Sequence, residues 1–169
     1  MDIITLITRA FASMRRSLDG IMQDMTPALF NWAPPGTANA ISATFVHLLN
    51  SEDHFLQGVL QGKPTVWESG GWSAKTGIPQ PPGIGEDWSA FKRQPTAIQP
   101  LLEYKSAVWA ATDAYLAELT PAELERQVPF AGGQRSAADM LMLAISQAHS
   151  HAGEIAALKG VQGAKGLPI

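Results

Sequence analysis

The sequence predicts an all-α protein: an antiparallel four-helix bundle with a long crossover loop between helices 2 and 3. Three observations lead there. Four long segments repeat apolar residues at steps of three and four, the period of a helix laid against a core. No segment shows the convincing two-residue alternation of a half-buried strand. Between the second and third segments, Lys63 to Gly85 is dense in glycine and proline and has neither period, which fits a bundle with one long crossover.

The first helix is expected over about residues 2 to 25, where Ile3, Leu6, Ile7, Ala10, Met14, Leu18, Ile21 and Met22 repeat while Arg9, Arg15, Arg16 and Asp19 take other positions. Thr26-Pro27 then supplies an N-cap and a proline at N1 for a short turn through Phe30, and Ala33-Pro34-Pro35-Gly36 breaks it. Asn39 is placed to cap a second helix, about 40 to 61, with Ile41, Phe45, Leu48, Phe55, Leu56 and Val59 as its buried stripe and Gly62 and Pro64 at its end. In the loop that follows, Trp67, Trp72 and Ile78 argue for an ordered cover over the body, since linkers seldom carry such side chains. A short turn is expected over Asp87 to Phe91. The third helix opens at Thr96 or Ile98 and runs to about Leu119 on Leu101, Tyr104, Val108, Ala111 and Tyr115. Thr120-Pro121-Ala122-Glu123 carries a capping-box signature for one more short helix, which Val128 to Gly133 ends. The fourth long helix spans Ser136 to Gly160, with Ser136 as N-cap, Asp139 at N3 and Gly160 as the stop.

With 169 residues, 46% of them apolar, one domain over 1–169 with a sizeable core is expected. The absence of cysteine rules out disulfides, zinc-thiolate sites and cysteine nucleophiles, so any metal must be held by nitrogen and oxygen. A net charge of −3 without a lysine or arginine cluster argues against a nucleic-acid partner. The N-terminal segment has an acid at position 2 and arginines within its apolar pattern, which fits neither a signal peptide nor a membrane span. The expectation is a cytoplasmic protein without a membrane partner.

Along the fourth helix Met140, Ala144, Gln147, His151, Glu154 and Leu158 share a stripe that turns from apolar to polar halfway. His149, roughly 200° from His151 around the helix, points elsewhere and is read as a surface residue. His47 stands in the apolar middle of the second helix. His54 follows seven residues later, roughly 10 Å along the axis, too far for both to touch one ion, and is expected at the surface. One reading is an interhelical metal site made by His47 and His151, with the amide of Gln147 as a weak third ligand, open positions for water or substrate, and Glu154 orienting His151. The other is a pair of buried, mutually satisfied core histidines. Arg15 and Arg16 are read as a solvated face. No phosphate-binding glycine loop, Gly-x-Ser-x-Gly elbow or His-Glu-x-x-His pair is present, and the glycines from Gly160 to Gly166 read as an extended tail.

Together these landmarks resemble the DinB-like family, also described as damage-inducible or YfiT-like. The resemblance is carried by Asn31-Trp32-Ala33-Pro34-Pro35-Gly36, Asn39-Ala40-Ile41-Ser42, His47 and Glu52-Asp53. It extends through Pro64-Thr65-Val66-Trp67, Gly71-Trp72 and Gly77-Ile78-Pro79, and through His151 to Ile155, Leu158-Lys159-Gly160 and Gly166-Leu167-Pro168. It implies an antiparallel bundle, often a homodimer, with a divalent ion held by three histidines near one end, the metal being zinc, nickel, iron or manganese. It also implies a small-molecule substrate, with a low-molecular-weight thiol in the thiol-dependent transferase, isomerase or hydrolase members. His47 matches the first ligand and His151 the last. Gln147 departs from the pattern, which has a histidine or an acid there. A low-affinity site, recruitment of His54 or solvent, and loss of the ion all remain open. The competing functions are thus a metal-dependent enzyme and a non-catalytic small-ligand-binding or structural dimeric bundle with a degenerate metal site.

Overall fold

The computed structural model describes residues 2–83, 86–89, 91 and 94–167. Ile84 and Gly85 of the expected loop, Ala90 of the expected turn and Pro168 of the tail lie outside them. The chain is mainly helical, in the order α1 (Ile3–Met22), α2 (Pro27–Asn31), α3 (Ile41–Asp53), a π-helical segment (His54–Leu60), α4 (Val66–Ser69), α5 (Trp72–Thr76), α6 (Ile98–Ala117), α7 (Pro121–Glu125), β1 (Gln127–Phe130), β2 (Gly133–Ser136) and α8 (Ala137–Val161).

The four expected long helices are present, and α3 is the one at the centre. All of its 13 residues except Asn50 are buried, as expected of a helix with neighbours on several sides. It packs on α8 and α6, and α8 packs on α1. The core runs through Phe11, Met14, Leu18, Phe45, Leu49, Tyr104, Val108, Leu141 and Ile155, each no more than 1% exposed. On α1 the buried stripe is Ile7, Phe11, Met14, Leu18 and Ile21; Ile3 and Leu6 are exposed, so the apolar repeat outruns the core at its N-terminal end.

Local signals account for several helix ends. Thr26 accepts from the Leu29 amide, and Ser136 and Asp139 form a reciprocal capping box. Three ends differ from expectation. The α3 N-cap is Ala40, with no side-chain cap, in place of Asn39. At α7, Thr120 accepts from the Glu123 amide, but Glu123 turns to Arg126 and Tyr115, so the box is not reciprocal. Helix α8 runs past Gly160: Gly163, at φ +78°, takes the left-handed position, with Ala164 N–H donating to Lys159 O and Gly163 N–H to Gly160 O. That is a Schellman stop. The tail folds back instead of extending, because Gly166 lies so close to the Ala156 carbonyl that a Cβ would stand 2.5 Å from its oxygen.

Two further differences shape the site. The stretch expected as one loop contains α4 and α5, whose Trp67 and Trp72 are 7% exposed and pack against Tyr104, Trp67 edge-on at 5.0 Å and Trp72 tilted at 5.5 Å between ring centroids. Its cover role is as expected. The segment expected only to break α7 instead pairs with the residues before α8 as an antiparallel hairpin, Gln127 opposite Ser136 and Phe130 opposite Gly133. Ala131 and Gly132 at its tip both have positive φ, 50° and 78°, the two-residue turn whose twist matches paired strands.

Candidate active site: a histidine pair beside a cleft

His47 reaches the site from the centre of α3, where burial on every side leaves it 4% exposed. Its Nδ1 lies 2.7 Å from the carbonyl oxygen of Pro82. A carbonyl only accepts, so Nδ1 carries the proton and Nε2 keeps its lone pair. Burial lowers the His47 pKa from its ordinary value, although the Pro82 contact opposes that shift; the ring is therefore neutral near pH 7. The Ser51 hydroxyl, one turn on, is 3.4 Å from Nε2, and the Trp88 ring lies 4.4 Å away.

His151 comes from the middle of α8. Its ring faces that of His47 with centroids 5.0 Å apart and planes at 88°. Glu154, one turn on, lies with Oε2 2.9 Å from His151 Nδ1, and this hydrogen bond lowers the Glu154 pKa. The two imidazoles are thus oriented alike, each through Nδ1, one by a backbone carbonyl and one by a carboxylate. That is the arrangement second-layer partners impose on metal-binding histidines.

The other candidate side chains differ in exposure. Gln147 is half-buried one turn before His151, and its side chain makes no hydrogen bond among the described residues. His149 and His54 are exposed. The shared stripe of α8 also drifts: Met140 and Ala144 are buried, Gln147 and His151 half-buried and Glu154 exposed, while Ala148, Ala152, Ile155 and Lys159 continue the core. Among the described residues no group of three or more His, Cys, Asp or Glu side chains could hold a metal ion.

A cleft of about 380 Å³ adjoins His47 and is lined further by Asn50, Ser51, His54, Phe55, Gly83 and the hairpin tip at Phe130 and Ala131. Its volume falls in the range of small-molecule sites. The Pro82 carbonyl, Ser51 and the hairpin wall were missed from sequence. Only the hairpin left a signal, a Gly-containing tip between Val128-Pro129-Phe130 and Gln134.

Arg15, expected on a solvated face, lies largely buried. Its side chain is 11% exposed and pairs with the buried Glu52 at 3.2 Å and with Asp113. It is part of the interior, whereas Arg16 is exposed as expected. No helix among the described residues is long and apolar enough to cross a membrane.

The sequence profile of the DinB superfamily matches residues 10–155. A crystal structure of a conserved protein from Enterococcus faecalis is similar, with a TM-score of 0.80 and 20% identity, covering 96% of this chain and 99% of that chain. At that identity the likeness is one of fold. Among curated proteins none matches.

Proposed function

This chain belongs to the DinB superfamily, and from that premise we propose that it is a metal-dependent enzyme acting on a small molecule, folded as a single four-helix bundle with the 61–97 connection as its crossover. The observation that carries the reading is the approach of His47 to His151 with both Nδ1 positions already engaged. At metal–nitrogen distances of ~2.0–2.1 Å, two imidazoles on one tetrahedral ion have ring centroids about 5 Å apart, and these rings are 5.0 Å apart. The donor set fits a divalent ion held through Nε2 of His47 and His151. The amide oxygen of Gln147 is the weak third donor, which favours low affinity and harder ions such as manganese over a tight zinc site.

The chemistry such an ion supplies is Lewis-acid polarisation of a substrate oxygen, or activation of a thiol or water. The protein's part is orientation and exclusion. Pro82 and Glu154 hold the imidazoles, burial keeps His47 neutral, and Phe55, Phe130 and Ala131 form an apolar wall beside them. A homodimer in the cytoplasm, with a low-molecular-weight thiol among the substrates, belongs to the same proposal.

The test is metal analysis of protein purified without chelator or affinity tag, followed by titration with zinc, nickel and manganese. We expect binding near one ion per chain, weakened more than roughly 10-fold in His47→Ala. No binding of any of the three metals would refute the reading. One observation favours a second reading, a non-catalytic small-ligand-binding or structural bundle with a degenerate metal site: Gln147 stands where a third strong ligand would be. In that case His151→Ala lowers stability and leaves metal titrations flat.

A further inference from the structure

The cleft beside the histidines has two chemically different walls. The hairpin tip supplies Phe130 and Ala131, backed by Phe55, whose ring meets Phe130 edge-on with centroids 5.6 Å apart. From α3 and the start of the π segment come the polar lining residues Asn50, Ser51 and His54. A second cleft of about 450 Å³ shares Asn50, His54 and Gly83 with the first and continues past Thr65 and Glu68. His54 therefore stands at the junction of two spaces, each the size of a small molecule.

The backbone is built around that position. The helix changes from α to π at His54, whose N–H is shared between the carbonyls of Asn50 and Ser51. π turns are rare and concentrate at functional sites. Four residues on, Gly58 leaves the room that the imidazole fills, since a Cβ there would stand 3.3 Å from His54 Nδ1.

We infer that the joined clefts bind one amphipathic small molecule, its apolar end against Phe130, Ala131 and Phe55 and its hydrogen-bonding end at Asn50 and His54. His54 is then a substrate-binding residue. The inference deepens the proposed function by naming the class of substrate. It rests on that reading for the reacting centre at His47, but the binding it describes needs no metal.

The probes are three uncharged N-acylglycinamides, acetyl, butanoyl and hexanoyl, titrated into the intact protein in EDTA and followed by calorimetry and by amide chemical shifts. Affinity should rise up to roughly fourfold per added methylene, the fold-change for burying one CH2 group. The shifts should centre on Asn50, His54 and Ala131. His54→Ala, which removes an exposed side chain, should weaken every probe by a similar factor of roughly two to ten. Phe130→Trp should move the preference toward shorter chains. Affinity independent of chain length, or shifts elsewhere, overturns the inference. Because EDTA is present throughout, a successful series with failed metal titrations keeps the substrate class and removes the metal, and the reverse result does the opposite.

Discussion

Glu52 is an acid placed in the interior by its position on α3. It is 2% exposed, and its Oε1 accepts from Thr112 at 2.7 Å and from Arg15 at 3.2 Å. Its Oε2 has no partner among the described residues. Burial raises the Glu52 pKa against the opposing pull of Arg15. A carboxyl whose folded pKa lies above its unfolded value holds its proton more tightly in the native state, so stability falls as pH rises through the window that opens upward from its ordinary 4.5. Replacing it by glutamine keeps one oxygen for Thr112 and Arg15 and removes the titration. Urea unfolding of Glu52→Gln across pH 4 to 8 should show a flatter fall with pH than the parent; an unchanged slope would mean Arg15 fully compensates the burial. This group was not legible from sequence, because Arg15, Glu52 and Thr112 lie on three different helices and no spacing connects them. By contrast, His47 and His151 were legible as a pair, His47 as a polar residue in the apolar middle of its helix and His151 where the stripe of α8 turns polar.

The elements were legible in proportion to how local their causes are. The caps at Thr26 and Ser136 follow from hydrogen bonds within four residues, and the periods of α1, α3, α6 and α8 from burial along one stripe. The short helix α4 was equally readable from Thr65 and Glu68, which form a complete capping box, but the surrounding glycines and prolines masked it. The hairpin was harder, because a strand of four residues carries too little alternation to compete with its proline and glycines. Its turn has one misfit, a non-glycine residue at φ +50°. Ala131→Gly relieves the left-handed penalty, so the hairpin should gain stability of about 1 kcal/mol. Thermal or urea melts of the variant test this. A loss of stability would show that added freedom in the unfolded chain outweighs the relief.

At the scale of the molecule, three buried groups tie the helices and their connection together. Asp53 accepts from the Val66 and Trp67 amides at 2.8 and 2.9 Å and from the Tyr104 hydroxyl at 2.7 Å, joining α3, α4 and α6. Six residues earlier on the same helix, His47 holds the far end of the connection through Pro82. Lys159, 3% exposed, donates to the carbonyls of Ile21 at 2.6 Å and Gln23 at 2.9 Å, so that the end of α8 closes the end of α1 with a cation where the helix dipole favours one. Lys159→Met strips the donor from both carbonyls and should cost about 2–3 kcal/mol in chemical denaturation. The exposed Lys165→Met, nearby in the tail, should stay within about 0.5 kcal/mol. Equal effects of the two would show that the buried lysine is not a tie.

By itself the sequence determined the mainly helical class, the long helices, the cover role of the tryptophans and the two histidines that meet, because each follows from periodicity, capping or an anomaly on one face. Only the tertiary structure decided that Arg15 and Lys159 are interior, that a carbonyl at Pro82 sets the His47 tautomer, and that a hairpin tip walls the cleft. Those contacts join residues tens of positions apart, and their energy comes from desolvation that no local spacing encodes.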